Sequence, residues 1–426
     1  MQKKFLFVSY EALSVDLAWH LTKEGHEVKM HISNSEDKDV GNGFVEKIDN
    51  WKAHIDWADV IVFDDVGFGK IADKLRKRGK LVIGGSDYTD RLENDREFGQ
   101  YQMKLAGLDV LPHWDFDNFE TAIEFLKTSP GRYVFKTSGT STDSYLRSFL
   151  FIGEEEDGKD LIEVLEQNKN TWAKKIRRFQ LQKFASGVEI AAGAFFNGVD
   201  FISPININFE HKKLFPGDSG PPTGEMGTLM FWSEANGFFN STLGHMKEKL
   251  REAKYIGYID INCIVNGRGI YPLEYTCRFG YPHISIALEG ITSPLGEFFF
   301  ALASGEQYPL KVKKGFQIGV VVAIPPFPYA DYKMFRVYKE FSVLFKKPSF
   351  EGIHLGDVKL VDNCWKVAGE SGYILVVTGS NSTVEGARRH TYRRIENINL
   401  LNMFYRPDIG LKWYRESDQL RTWGIL

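Results

Sequence analysis

Apolar and polar positions in the amino-terminal part of the chain fall into blocks that predict a β-α-β opening. Lys4–Tyr10 is a largely apolar run of strand length, Glu11–Gly25 carries Leu13, Leu17, Ala18 and Leu21 at helical spacing, and Glu27–Ile32 reads as the next strand. Strand Val60–Phe63, helix Lys70–Arg78 and strand Leu81–Ile83 continue the alternation, so a parallel sheet with helices on its faces is expected. Arg91–Leu105 has the pattern of one amphipathic helix. A compact α+β stretch follows, with helix Phe119–Lys127, strand Tyr133–Lys136, helix Lys159–Asn168 and strand Phe179–Phe184. Strands Glu189–Phe196 and Asp200–Ile207 flank an Asn197-Gly198 turn, and 209–228 is rich enough in Gly and Pro to predict a long irregular loop. Helices Leu243–Ile256 and Ser285–Ala303 enclose a hairpin. After Ser304-Gly305 come strands Gly315–Ala323, Asp357–Val361, Cys364–Ala368 and Tyr373–Gly379, then helix Thr383–Glu396.

The hairpin, 258–283, is the stretch richest in candidate chemistry. Alternation along Asp260–Val265 puts Asp260, Asn262 and Ile264 on one face, and Ile270–Arg278 puts Glu274, Thr276 and Arg278 on one face. Asn266-Gly267 between two such runs is a strong turn signal. Carboxylate, amide and hydroxyl oxygens beside an arginine suit Mg2+ shared with nucleotide phosphates. A solvent-facing hairpin carrying its charges for solubility reads equally well from this segment alone.

Composition narrows the classes. A chain of 426 residues exceeds one core, so two to four domains or subdomains are expected. The net charge of −3 gives no electrostatic case for nucleic acid or an anionic membrane. Cys263, Cys277 and Cys364 show no CxxC spacing, so neither a zinc site nor a disulfide framework follows, and buried thiols are expected. The FLFVSY run near the start is too short for export or spanning, which predicts a cytoplasmic protein. A dinucleotide fold is excluded by the turn SYEALSVD, which has no glycine for close approach to a pyrophosphate. Asp64 to Gly69 ends a strand where open α/β sheets bind ligands, or it is a solvated loop. Lys136 ends a strand before the polar loop TSGTSTDS, where a lysine pairs with phosphates or simply lies at the surface.

Six spaced motifs then agree in order. Val134-Phe135-Lys136-Thr137-Ser138-Gly139 resembles a strand ending IKADG, and Gln182-Lys183-Phe184-Ala185-Ser186-Gly187-Val188-Glu189 resembles a hinge EEFLDGEEAS. Glu210-His211-Lys212-Lys213 with Gly217-Asp218-Ser219-Gly220-Pro221-Pro222-Thr223-Gly224-Glu225-Met226-Gly227 resembles DHKR…GDxGPNTGGMG. Glu274 to His283 resembles EFNxRFGDPE, Phe327 to Tyr332 a YPGDY turn, and Tyr405 to Gly410 a closing YRKDIG. On these motifs, collinear from about Ile83 to Ile409, the chain resembles the phosphoribosylamine–glycine ligases of the ATP-grasp superfamily. The resemblance implies an α/β ATP-grasp fold with an amino-terminal parallel-sheet domain (1–108), a lid subdomain (109–184), a central subdomain with the metal and carboxylate site (185–310), and a small carboxy-terminal α+β domain (311–426).

It also implies roles. ATP would be held by Lys136 and Arg96 on the phosphates, by the backbone of Gln182, Lys183, Phe184 and Ala185 on the adenine edge, and by Glu189 on the ribose. Glu274, Thr276 and Asn262 would hold Mg2+, with Mn2+ as an alternative ion. Arg278, Lys212 and Asp218 would serve the reacting carboxylate, which becomes an acyl phosphate and then an amide. The implied partners are a small-molecule carboxylate and amine, with no nucleic acid and no membrane, on a monomer or homodimer. Departures cluster on the amine side. The family's GNGGREHAL is here Ser9 to Leu17, its GPE is Asp64-Asp65-Val66, its RFGDPE is RFGYPH, its lid GLAAGKG is 139–145 without the second lysine, and its metal-side Asn is Thr276. Acids at Glu11, Asp16, Asp64 and Asp65 suit a cationic or neutral amine better than a phosphosugar. The expectation is an ATP-dependent carboxylate–amine ligase with an altered acceptor site. The alternative is a catalytically silent nucleotide-binding relative acting as a regulatory or scaffold protein.

Overall fold

The first five strands assemble as the alternation predicts. β1 (Lys4–Ser9), β2 (Glu27–Ile32), β3 (Glu46–Lys47), β4 (Val60–Phe63) and β5 (Leu81–Ile83) form a parallel sheet in the order β3-β2-β1-β4-β5. The central strands β1 and β4 are apolar and buried, as strands covered on both faces must be. The first helix runs Val15–Lys23, later than its hydrophobic pattern suggests. Ser14 explains the delay: its N–H and Oγ–H both donate to Asp64 Oδ2, at 3.1 and 2.7 Å, so the residues before it form a loop above the sheet.

The computed structural model describes residues 1–138, 149–329 and 331–426. The expected phosphate-covering loop, 139–145, lies outside the described residues, as does Ala330. The chain groups into two units, one of residues 1–90, 190–260 and 276–418, the other of 91–189, 261–275 and 419–426. In the second unit β6 (His113–Phe116), β7 (Tyr133–Ser138), β8 (Leu150–Ile152) and β9 (Arg178–Lys183) form an antiparallel sheet in the order β6-β9-β7-β8. Helices Phe119–Thr128 and Lys159–Trp172 share its core, where Phe179 lies 4.5 Å from Phe119 and 5.1 Å from Phe135 between ring centroids. The single helix expected over 91–105 is two, Asp87–Asn94 and Arg96–Leu105. Asp95 separates them because its carboxylate caps the second, accepting from Phe98 N at 3.1 Å.

β10 (Val188–Asn197) and β11 (Phe201–Glu210) are followed by β12 (Lys213–Phe215), β13 (Ser219–Pro222), β14 (Gly227–Ser233), β15 (Ile256–Asn266), β16 (Gly269–Thr276) and β17 (Phe316–Ala323). Beyond them lie β18 (Ser342–Phe345), β19 (Ile353–Leu355), β20 (Val358–Val361), β21 (Cys364–Val367), β22 (Tyr373–Asn381) and β23 (Ile398–Asn399). Eight of these make one sheet in the order β16-β15-β10-β11-β14-β17-β22-β19, while β20-β21-β18-β23 form a smaller one. The carboxy-terminal segment thus supplies β17, β22 and β19 to the large sheet.

Three further elements differ from the pattern-based expectation. The stretch 209–228 is not irregular: it holds the hairpin β12–β13, with Lys213 opposite Pro222 and Phe215 opposite Ser219. Positive φ at Gly217, Asp218 and Gly220 closes its turn, and the edge position tolerates Pro222. The helix expected over 243–256 is a 3-10 turn, Leu243–Met246, and a short α-helix, Lys247–Glu252, after which Ile256 already begins β15. The helix expected over 285–303 is divided into His283–Gly290 and Leu295–Ala303, because Pro294 can only precede a helix, not continue one. Cys263 and Cys277 are buried free thiols and Cys364 is exposed. No helix among the described residues is long and apolar enough to cross a membrane.

The β12–β13 hairpin is tied down by Arg406, whose side chain is 1% exposed. Its guanidinium donates to both Asp408 carboxylate oxygens (2.9 and 2.7 Å), to Lys213 O (2.8 Å) and to Asp218 Oδ1 (3.0 Å). Replacing Arg406 with Met keeps the buried stem but strands these acceptors. Arg406→Met should lower unfolding free energy by about 3 kcal/mol in urea titrations, and a loss below about 1 kcal/mol would mean the tie is ornamental.

Candidate active site

The nucleotide-side residues gather in the second unit. Lys136 stands on β7 and donates from Nζ to Gln182 Oε1 on β9 at 2.7 Å. Gln182 is buried, and its Nε2 has no hydrogen-bond partner among the described residues. At the end of β9 the N–H of Lys183 donates to Pro112 O (2.8 Å) and that of Phe184 to Arg132 O (3.0 Å), while the Arg132 guanidinium lies 3.6 Å above the Phe184 ring centroid. The Lys183 and Phe184 N–H groups, part of the backbone stretch expected on an adenine edge, are therefore used within the lobe. Arg96 opens the helix Arg96–Leu105, half-buried, and its Nε has no partner among the described residues. Glu189 follows on β10, half-buried.

The hairpin β15–β16 is not a solvent-facing ribbon. Asp260 and Asn262 are 2% and 3% exposed, and seven consecutive residues of β15 are buried. Glu274 on β16 is exposed, and Thr276 at its end is half-buried. Arg278 lies just past β16, not on it. Its Nε is 3.2 Å from Asp65 Oδ1, and its Nη1 donates to Phe279 O at 2.9 Å. Glu274, Asn262 and Thr276 offer a carboxylate, an amide oxygen and a hydroxyl, a donor set whose hard oxygens fit Mg2+.

In the first unit the carboxylate loop brings Glu210 and Lys212 together, with Lys212 Nζ 3.3 Å from a Glu210 oxygen. Between them in sequence, His211 is fully buried, and its Nε2 accepts a long hydrogen bond from Gly410 N. Burial, reinforced by the Lys412 and Arg406 charges, pulls its pKa down to about 3, so the imidazole is neutral. Asp218 does not point at a substrate in this arrangement. Its carboxylate is taken by Arg406 at 3.0 Å and Lys412 at 2.8 Å, which makes it part of the hairpin tie.

Glu225 is the residue that pattern reading missed. It is 7% exposed, and its Oε1 has no hydrogen-bond partner among the described residues. Burial pushes its carboxyl well above the usual range, Glu210 and Asp260 push the same way, and Lys212 and Arg278 only partly oppose them. A signal was present in the motif comparison, since a glycine stands in GDxGPNTGGMG where this chain has Glu225.

The departures on the amine side also find places. Tyr281 OH donates to Asp64 O at 3.2 Å, and His283 Nε2 lies 2.7 Å from Tyr258 OH. Tyr281 is half-buried and His283 fully buried, and burial takes the His283 pKa down to about 3. Asp16 is not part of an open acidic surface; it is buried against His354 at 2.7 Å. Glu11, Asp37, Asp65, Asp357 and Glu370 do act on one another. Desolvation, then Asp65 and Glu370, raise the Glu11 carboxyl. Burial, with Asp357, Glu370 and Glu11, raises Asp37 to about 8 against a hydrogen bond from Asn34. Asn34 Nδ2 also reaches Glu370 at 3.0 Å, and Lys47 serves Asp39 as well as Asp37.

Comparison with known proteins is consistent with this geometry. The family phosphoribosylglycinamide synthetase, ATP-grasp (A) domain, matches residues 94–284. A phosphoribosylamine–glycine ligase of Streptococcus suis is 24% identical over 359 residues, covering 82% of either chain. That of Streptococcus pyogenes serotype M1 is 25% identical over 372 residues, covering 85% of either chain. Among solved structures, the phosphoribosylamine–glycine ligase of Thermotoga maritima superposes with a TM-score of 0.71 at 22% identity, over 96% of this chain and 100% of that one. A biotin carboxylase of Campylobacter jejuni gives 0.66 at 12% identity, over 99% and 97%. These structural likenesses concern the fold.

An acid whose native pKa is raised costs stability once the pH passes its unfolded value, because the unfolded chain releases its proton first. Glu225→Gln removes that cost. Its melting temperature relative to wild type should rise with pH from 4.5 upward, and a flat difference between pH 4.5 and about 8 would show that Glu225 ionises normally.

Proposed function

We propose that this chain, which is similar to the phosphoribosylamine–glycine ligases over most of its length and matches the phosphoribosylglycinamide synthetase ATP-grasp (A) domain over residues 94–284, is an ATP- and Mg2+-dependent carboxylate–amine ligase that serves a cationic amine. A small carboxylate such as glycine attacks the γ-phosphoryl group, ADP departs, and an acyl phosphate remains. The amine nitrogen then attacks the acyl carbon, phosphate leaves, and an amide forms. Activation is needed because a carboxylate is a poor electrophile.

The protein groups have separable tasks in this reading. Lys136 and Arg96 hold phosphates, the Lys183 carbonyl and Ala185 N–H form the adenine edge left after their neighbours are used, and Glu189 accepts from the ribose. Glu274, Thr276 and Asn262 would hold Mg2+, which supplies charge neutralisation at the phosphates when bound. Lys212 and Arg278 meet the charge of the carboxylate and the transferred phosphoryl group. Glu225, protonated, can donate a hydrogen bond to a carboxylate oxygen where an ionised glutamate would repel it.

The acidic set Glu11, Asp37, Asp65, Asp357 and Glu370 is the observation that supports a cationic acceptor. On top of burial, Asp65 and Glu370 raise the affinity of Glu11 for a proton, and Asp357, Glu370 and Glu11 raise that of Asp37. A phosphate placed 5–6 Å from one of them would cost on the order of 3 kcal/mol per charge pair at an effective dielectric of 20. An ammonium would gain a similar amount, and a carboxyl poised near neutrality can take the proton that the attacking amine must lose.

ADP release measured with ATP, Mg2+, glycine and a panel of amines tests this reading. Diamines or basic amino acids should support turnover together with amide formation. If phosphoribosylamine alone supports turnover, the altered-acceptor idea fails and the relatives' reaction stands. For the metal side, Glu274→Gln should lower Mg2+-dependent turnover roughly 100-fold or more while nucleotide affinity falls far less. Equal losses in both would place Glu274 in nucleotide binding alone.

A further inference from the structure

The reaction proposed above leaves Asp16, His20 and His354 without a task. Asp16 and His20 lie at i and i+4 on the helix Val15–Lys23, so their side chains share one face. His354 approaches from β19, and the three residues offer ligand atoms within 4.8 Å of one another. Asp16 and His354 side chains are 4% exposed, whereas that of His20 is 30% exposed. The imidazoles of His20 and His354 lie nearly parallel, 5.5 Å between centroids.

Proton bookkeeping shows what the cluster lacks. The Thr378 hydroxyl has three acceptors within reach of its single hydrogen, Glu289 Oε2 at 2.9 Å, Gly352 O at 3.4 Å and His354 Nε2 at 3.0 Å. Glu289 is ionised, paired with Lys313 at 2.9 Å and Arg394 at 3.0 Å. Thr378 Oγ1 therefore either donates to His354 Nε2 or accepts a hydrogen bond from it, according to the tautomer. His354 Nδ1 then faces Asp16 Oδ2 at 2.7 Å. The other Asp16 oxygen takes the Leu355 N–H at 3.0 Å, and Ser285 Oγ lies 3.4 Å from Oδ2. At 2.7 Å, one proton or one bound cation stands between His354 Nδ1 and Asp16 Oδ2. A proton on His354 Nδ1 satisfies the pair but does nothing for His20 Nε2, which is 3.8 Å from Asp16 Oδ2 and beyond hydrogen-bond reach.

We propose that Asp16 Oδ2, His20 Nε2 and His354 Nδ1 form a binding site for a divalent transition metal of the Zn2+ class, with a fourth position open to water on the His20 side. Two imidazoles and one carboxylate suit Zn2+ and disfavour Mg2+, which takes oxygen ligands. Ligands about 2.0–2.1 Å from a tetrahedral ion lie roughly 3.3 Å apart, so the 2.7 Å pair opens slightly and the 3.8 Å pair closes. The Thr378–Glu289 chain holds the far nitrogen of His354 as a supporting shell holds a metal-bound histidine. Lys23, one turn further along the helix, lies 3.6 Å above the Trp19 ring centroid. The ion would join the first helix to β19 within one unit, apart from the oxygen donors of the hairpin.

Zn2+ titration calorimetry on the full chain, in excess Mg2+ to occupy the oxygen donors, tests the site. Wild type should bind one Zn2+ per chain. Co2+ should give visible absorption bands of a low-symmetry site. His20→Ala, a half-exposed position that leaves the buried pair intact, should lose stoichiometric binding, and Thr378→Val should weaken it about 10–100-fold. No stoichiometric Zn2+ in wild type would overturn the proposal and leave a proton-bridged histidine–carboxylate pair. Undiminished binding by His20→Ala would overturn it as well.

Discussion

Burial of carboxyl groups in the larger unit is the constraint on which much of the rest depends, because an ionised carboxylate without a partner costs several kcal/mol to desolvate. The chain meets that cost in three ways. Glu289 is paired with Lys313 and Arg394, and Asp218 and Asp408 with Arg406. Asp16 meets His354 and a backbone N–H. Glu225 and Asp64 instead keep their protons further toward neutral pH, Asp64 to about 7 under the burial penalty. The first solution makes rigid ties, and the other two leave chemistry available.

The paired acids coincide with the structural joints. Arg406 fastens the β12–β13 hairpin, and Glu289 links the helix His283–Gly290 to β22 through Thr378 and Ser380. Proton-holding acids collect where the relatives' motifs are lost, at Glu11 and Asp37, with Glu370 acting on both and Asp65 on Glu11. Asp65 also meets Arg278, so the charge balance of this acidic cluster extends to that arginine.

Much of the architecture is legible in local pattern. Val60–Phe63 and Leu81–Ile83 coincide with observed strands because parallel strands buried on both faces are continuous apolar runs, and Glu27–Ile32 does so by alternation, with Val28, Met30 and Ile32 buried. Helix breaks at Asp95 and Pro294 were written in capping and proline chemistry that a hydrophobic pattern alone passes over. The hairpin β12–β13 was harder, since its short edge strands contain the glycines and prolines that normally mark a loop.

The sequence by itself determined most of the order of strands and helices and the motif spacing in which the chain resembles the phosphoribosylamine–glycine ligases. These follow from local periodicity and from residues near one another along the chain. Tertiary structure alone decided which charges are spent on one another. Asp218 and Arg406 are far apart in sequence, as are Asp16 and His354, and no periodicity announces either pair. Burial of Glu225 beside Glu210 and Asp260 likewise depends on how β11, β14 and β15 are brought together. Coulomb energy depends on distance and on the exclusion of water, and folding sets both.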